Sequence, residues 1–376
     1  MHLCNMIYQI FEEEKIDLIS TLPCEQFADL IGNMPDKFMH IPLTREENGI
    51  GISAGFYLTG GKPLMMIQSS GLGNSLNALM SLHKGYDLPL PIIASWRGKD
   101  DHFKGTQVHF GKHIPELFKM LGIPCDVIES PDQVEKIAEA IWSSYEKNTP
   151  QIVLVPPEIW EVNEDKAPAP SFASRRRNIE LTYRGKMLDP QLTLPEALRI
   201  VSGFFDDEIV VASLGDICPE LYYVKDRDLN FYVIAALGQA SSVGLGMAIN
   251  TSKRVYVIDG DGSLLMNPNI LCEIVSIKPS NLTLIVLDNG TYSTTGNQKT
   301  PAYDLVDIEL LARSFGFAST RKAFTEEEIA DALKDFEEGP HLLHVVIKPG
   351  ISECGKTPLK PQKIKERFMN TLLQTK

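Results

Sequence analysis

Two doubly wound α/β modules joined by a linker are what this sequence predicts, and three observations carry that prediction. Short, nearly continuous apolar runs recur along the 376 residues, separated by stretches with helical periodicity. One polar, proline-bearing segment interrupts the alternation near the middle. The composition, 43% hydrophobic and 23% charged, is that of a globular chain with room for two cores, which excludes disordered, collagen-like and coiled-coil readings.

Taken in order, PLMMIQ (63–68) and LPIIAS (90–95) read as buried strands, each followed by a turn or helix. GISAGFYL (51–58) is an apolar helix whose small residues suit close packing. Residues 132–145 carry apolar side chains at helical spacing, with Pro131-Asp132 as the start. QIVLVPP (151–157) is the next strand. Residues 163–178 (NEDKAPAPSFASRRRN) are polar, contain Pro168 and Pro170, and cannot build a core. The expected division is a first module over 1–165, a linker over 166–187 and a second module over 188–376. In the second module EIVVASLG (208–215), RVYVIDGDG (254–262), NLTLIVLDN (281–289) and HLLHVVIKP (341–349) read as strands. Strands this uniformly apolar imply parallel sheets covered on both faces. No short internal repeat is visible.

Several functions are excluded early. A net charge of −13 argues against nucleic-acid binding, and the one dense basic run, Arg175-Arg176-Arg177, falls in the linker. Six scattered cysteines form no C-x-x-C, so neither a zinc knuckle nor an iron–sulfur cluster is expected. The opening MHLCNMIYQIFEEEK lacks a signal-peptide core, and no apolar run reaches the length of a membrane span. The expectation is a cytoplasmic protein with reduced thiols.

The strongest chemical signal is Gly260-Asp261-Gly262-Ser263, followed 25 residues on by Asp288-Asn289. Each element closes an apolar strand, at the carboxyl edge where open α/β sheets place ligands. Asp261 and Asn289 offer hard oxygens of the kind Mg²⁺ takes together with phosphate oxygens and water. A calcium loop starting at Asp259 fails, because its sixth position is Leu264 and its twelfth Ile270. A dinucleotide fingerprint at Gly71-Leu72-Gly73 fails at Leu76. Alone, a GDG turn can simply close a strand.

The paired elements resemble the motif of thiamin diphosphate-dependent enzymes, GDG followed at about this distance by NN or DN. That resemblance implies thiamin diphosphate and Mg²⁺ as cofactors. It implies metal ligation by the side chains of Asp261 and Asn289 and the carbonyl of Thr291, with the amides of Gly262 and Ser263 on the diphosphate. Gly215 and Asp216 join the cofactor-binding set. Ala235-Ala236-Leu237-Gly238 resembles the family's G-S/T-M-G segment. The Ala235 carbonyl would then face the cofactor's amino group, and Leu237 would prop the cofactor's bent shape, with Ala and Leu replacing the usual Gly and Met. Thiamin chemistry also needs a carboxyl hydrogen-bonded to the aminopyrimidine, and such an acid works best when burial lifts its pKa. Alignment on Gly55 selects Glu46 for that role, with Glu47 as the fallback. Read without the resemblance, both glutamates would simply complement a helix N-terminus.

The chain lacks the third domain of acetolactate synthase-like and pyruvate decarboxylase-like enzymes and the cysteine clusters of ferredoxin-coupled oxidoreductases. It resembles instead the small decarboxylases of 3-substituted pyruvates. The carriers are QSSGLGNSLN (68–77), SWRG (95–98), LYYVKDRDLNFY (221–232) and STTGNQKT (293–300), with TLPCEQF (21–27) and HIPLTREENGIGI (40–52). These look like the α and β subunits of sulfopyruvate decarboxylases fused in one chain. The resemblance implies release of CO₂ from sulfopyruvate, giving sulfoacetaldehyde for coenzyme M biosynthesis in methanogens, with phosphonopyruvate as the alternative substrate. A non-catalytic thiamin diphosphate-binding protein is the alternative from another class. For the anionic 2-oxo acid the candidates are Arg97 first, whose planar fork matches an oxyanion, then Lys299, His109 and Arg45, with Ser70 and Asn74 from the QSSGLGN stretch. Because the family's cofactor bridges modules of different chains, a homo-oligomer, at least a dimer, is expected.

Overall fold

In the computed structural model, which describes residues 3–99, 105–161, 167 and 189–374, the apolar runs form two separate parallel sheets. The chain divides into one unit of Met1–Tyr57 with Gly61–Arg175 and another of Arg176–Lys376 with Leu58–Gly60. Of the linker expected at 166–187, only Ala167 lies among the described residues, and Arg175-Arg176-Arg177 lie outside them.

The first sheet consists of β1 (Leu18–Thr21), β2 (Met39–Pro42), β3 (Pro63–Gln68), β4 (Leu90–Ser95), β5 (Cys125–Val127) and β6 (Pro150–Val155), in the order β2-β1-β3-β4-β6-β5. All its neighbours pair in parallel. The inner strands β4 and β6 are buried along their whole length, which is why they read as unbroken apolar runs. The second sheet consists of β7 (Ile209–Ala212), β8 (Asn230–Tyr232), β9 (Val255–Gly260), β10 (Leu282–Asp288), β13 (Ser319–Ala323) and β14 (His341–Val346). Its order is β13-β14-β10-β9-β7-β8, again wholly parallel. A small antiparallel pair, β11 (Thr291–Tyr292) and β12 (Gln298–Lys299), follows β10.

Counted from its own first strand, each sheet has the same order, 2-1-3-4-6-5. The chain therefore reverses its direction of growth between β1 and β3 in one unit and between β7 and β9 in the other. Those two reversals open crevices at the carboxyl edge, the positions such sheets offer to ligands. The duplication is one of topology, not of sequence.

Differences from the sequence expectation are local. The helix expected at 132–145 is split into a short 3₁₀ turn at Pro131–Gln133 and a helix at Lys136–Lys147. The strand read at 254–262 ends at Gly260, because Asp261 opens the helix Asp261–Met266. The strand read at 208–215 stops at Ala212, and Gly215 turns the chain at φ +106°.

One buried group makes the first unit sensitive to acid. His83 is fully buried, its Nε2–H donating to the Ile50 carbonyl at 2.9 Å, and burial pushes its pKa down to about 4. The unfolded chain takes up this proton near pH 6.5 and the folded chain near 4, so stability is present above 6.5 and is lost as pH falls. Moving from pH 7.5 to pH 5 is expected to cost about 2 kcal/mol through this residue. Urea midpoints at the two pH values will measure it, and His83→Gln, which keeps a donor but cannot charge, should flatten that part of the profile.

Candidate active site

In the second unit the crevice between β7 and β9 is a cavity of about 580 Å³. Three strand ends supply its floor. Leu214, Gly215 and Asp216 follow β7, Gly260 to Ser263 span the end of β9 and the helix after it, and Asn289 and Thr291 follow β10. Asp261 is buried, accepts a hydrogen bond from Thr300 Oγ1, and has its carboxyl pushed up to about 7 by burial first and the charge of Asp288 second. Asp288 is itself buried, accepting from Gly290 N at 2.9 Å and pairing with His344 Nε2 at 2.8 Å. The Asn289 side-chain oxygen accepts from Thr291 N at 2.9 Å, a local turn that fixes the amide at the cavity wall.

This donor set fits a hard divalent cation. A buried carboxylate whose charge is disfavoured by its surroundings is restored to its ionised form by a cation at its oxygen. One carboxylate, one amide oxygen and one carbonyl suit Mg²⁺, which keeps other positions for phosphate and water. Among the described residues no group of three His, Cys, Asp or Glu side chains could hold a metal, so a protein-only cage is not offered.

The walls are set by backbone demands. A Cβ at Gly262 would lie 2.4 Å from the Tyr292 ring, so only glycine lets that ring close over the segment. The Ser263 hydroxyl receives hydrogen bonds from Ser213 Oγ at 3.0 Å and from Gly238 N at 3.2 Å, tying the β7, β8 and β9 ends together. Asp216 accepts from Ser293 Oγ at 2.5 Å. Leu237 lines the cavity, whereas Ala235, on the same loop after β8, is not among the lining residues. Between them Ala236 holds a left-handed φ of +62°, uncommon for a residue with a side chain.

In the first unit the helix Glu46–Leu58 begins at the acid itself. Glu46 is buried, with its Oε2 accepting from Asn74 Nδ2 at 3.1 Å. A Cβ at Gly71 would lie 2.5 Å from Glu46 Cγ and 2.6 Å from its Oε1, so the carboxyl packs directly on the backbone of the helix Ser69–Ala78. Glu47, the fallback, is instead engaged by Arg45, whose Nε donates at 2.9 Å. Arg97, just past β4, is 4% exposed. Its Nη2 reaches Glu25 Oε2 at 3.2 Å, and its Nε is buried without a partner. Its backbone N–H donates to Ser69 Oγ at 3.0 Å, joining the β3 and β4 ends. Ser70 is exposed and accepts from Gln68 Nε2 at 2.7 Å.

Two candidates stand apart. His109 is exposed on the helix Gly105–Gly111. Lys299 is exposed, lies 3.5 Å from Asp304 and 3.8 Å over the Tyr303 ring, and does not line the cavity. The cavity's basic lining residue is Lys356, beside Thr357, which sequence reasoning missed. A signal existed: β14 runs parallel to β10, so the segment after it must emerge at the same edge as Asn289.

The family described as thiamine pyrophosphate enzyme, C-terminal TPP binding domain, matches residues 220–345. The chain is 40% identical over 373 residues to a sulfopyruvate decarboxylase of Methanosarcina acetivorans, covering 97% of this chain and 96% of that one. A sulfopyruvate decarboxylase subunit beta from Methanothermobacter thermautotrophicus is 40% identical, covering 46% of this chain and 92% of the subunit. A subunit alpha from Methanococcus maripaludis is 34% identical, covering 43% of this chain and 98% of the subunit. The chain thus unites in one polypeptide what those proteins carry as separate subunits. With that identity spread along its whole length, the chain belongs to the sulfopyruvate decarboxylase family of thiamin diphosphate enzymes.

Proposed function

We propose that this chain is a thiamin diphosphate- and Mg²⁺-dependent decarboxylase that converts sulfopyruvate to sulfoacetaldehyde and CO₂. The observation that carries the reading is that Asp261, Asn289 and Thr291, from two strand ends, line one cavity with the backbone of Gly262 and Ser263. The length-wide identity to a named sulfopyruvate decarboxylase supports the choice of substrate. In the reaction the bond between the carboxylate and the keto carbon breaks, CO₂ leaves, and the former keto carbon takes up a proton. Thiamin diphosphate, when bound, supplies the electron sink for that bond cleavage.

The remaining work falls to the chain. Residues 188–376 act as the diphosphate-binding module. There the side chains of Asp261 and Asn289 and the carbonyl of Thr291 hold Mg²⁺, while Gly215, Asp216, Gly262 and Ser263 receive the diphosphate. Ala235 and Leu237 orient the rings. Residues 1–165 act as the pyrimidine-binding module, where Glu46 would offer a carboxyl oxygen as the acid that the aminopyrimidine needs. Asn74 fixes the other face of that carboxyl. Arg97 takes the sulfonate through its fork, with Ser70, Asn74, His109 and Lys299 as further substrate contacts. The likeness to thiamin diphosphate enzymes that act as assemblies supports a homo-oligomer of at least two chains as the active form. The product serves coenzyme M formation in the cytoplasm. That no disulfide joins the six cysteines is compatible with a reducing compartment.

The decisive assay is CO₂ release from sulfopyruvate and from phosphonopyruvate, each with and without thiamin diphosphate and Mg²⁺. Release from sulfopyruvate that needs both cofactors is expected. A preference for phosphonopyruvate would keep the chemistry and overturn the substrate, and binding without release from either would leave only a cofactor-binding protein. Glu46→Gln should lower kcat by roughly 10²–10⁴-fold while cofactor affinity stays within a few-fold. Unchanged turnover would remove Glu46 from the mechanism. Gly71→Ala, which forces the Glu46 carboxyl aside, should cost roughly 10²-fold in kcat with little change in cofactor affinity, measured in the same assay.

A further inference from the structure

The cavity of the second unit carries more negative than positive side-chain charge. Asp216 and Asp261 line it, and Lys356 is the only basic side chain among its described lining residues. Lys356 belongs to residues 347–360, a segment without helix or strand that leaves β14 and ends where the helix Pro361–Gln374 begins. Within it Ile347 lines the cavity wall, its N–H donating to the Asp288 carbonyl at 2.8 Å. Ser352 then pins the segment, with its Oγ donating to Glu220 Oε1 at 2.6 Å and its N–H pointing at Asp216 Oδ2 at 3.5 Å. Cys354 N–H returns to Ser352 Oγ at 3.1 Å, closing a local turn. Pro358 follows Thr357 and holds it extended. The segment therefore reaches the cavity as a tethered strap.

Two groups on that strap are unspent. Lys356 is exposed at the mouth of the cavity it lines, and among the described residues it has neither an ion-pair nor a hydrogen-bond partner. The Thr357 hydroxyl is buried and unpartnered, as is the hydroxyl of Thr291, which lines the same cavity. Buried hydroxyls without partners are uncommon in folded proteins and point to a missing acceptor or donor. An ammonium beside them asks for an anion, and a diphosphate brings more negative charge than one Mg²⁺ neutralises, with Asp261 adding to the excess.

We propose that Lys356 and Thr357 anchor the diphosphate of thiamin diphosphate, the strap supplying from the chain's C-terminal segment the positive charge that the strand ends lack. This rests on the reading of the cavity as the cofactor site, and the test separates the two. Isothermal titration of the full chain with thiamin diphosphate at saturating Mg²⁺ should show Kd raised about tenfold by Lys356→Met, equivalent to about 1.4 kcal/mol. Lys356→Arg should restore most of the loss, and Thr357→Val should show a smaller one. Inorganic pyrophosphate, used as a competitor, should weaken by the same factor in Lys356→Met, while unphosphorylated thiamin should compete equally against both proteins. A Kd within twofold of wild type in Lys356→Met would overturn the assignment. Equal weakening of thiamin and pyrophosphate would overturn it too, because the strap would then be only a wall. Failure of the wild-type chain to bind thiamin diphosphate with Mg²⁺ would instead overturn the cofactor reading itself.

Discussion

Asp261 and Asp288 are buried near one another at the carboxyl edge of the second sheet, and much of that unit is arranged to bear the charge. Asp288 is hydrogen-bonded within the protein by His344 and by the Gly290 amide. Asp261 is held by the Thr300 hydroxyl and by backbone N–H groups at Gly262 and Asp261, yet burial and the charge of Asp288 outweigh them and push it toward protonation. The asymmetry separates a structural carboxylate from one left available for a cation. Removing water from both would be costly without partners, and the fold supplies them unequally.

The location of that asymmetry follows from strand order. A parallel sheet that grows first one way and then the other leaves a gap between the loops on either side of the reversal. In the second unit the gap lies between the loops after β7 and β9 and takes in the end of β10, where Asn289 and Thr291 sit. In the first unit the same order brings together the ends of β1, β3 and β4, where Glu25, Ser69 and Arg97 are linked. One architecture thus appears twice with different side chains at its strand ends, oxygen donors lining a cavity in one unit and a buried glutamate and arginine in the other.

Much of this was legible in the sequence because the determining features are local. β3 and β4 were readable to the residue, since a strand buried on both faces is an apolar run bounded by polar turns. The pairing of Gly260-Asp261-Gly262 with Asn289 was legible because each element closes an apolar strand and the two together resemble a known motif. Contacts that depend on tertiary packing were not. Nothing near Arg97 in sequence announces Glu25, seventy-two residues away, as its partner. The strap at 347–360 has no periodicity to read, and the neighbours of Lys299, Asp304 and the Tyr303 ring, cannot be placed beside it from sequence. The shared strand order was invisible because topology survives without any repeated residue pattern.

The contact between Glu46 and Gly71 has a consequence for how such chains diverge. The carboxyl occupies the volume that any side chain at position 71 would need. A side chain at position 71 would have to displace the carboxyl, whereas a lineage that gave up the glutamate would be released from the glycine at the same time. The two sites should be gained and lost together among descendants, so a chain of this fold with a larger residue at the position of Gly71 can be read as one that has abandoned the acid before any assay is done.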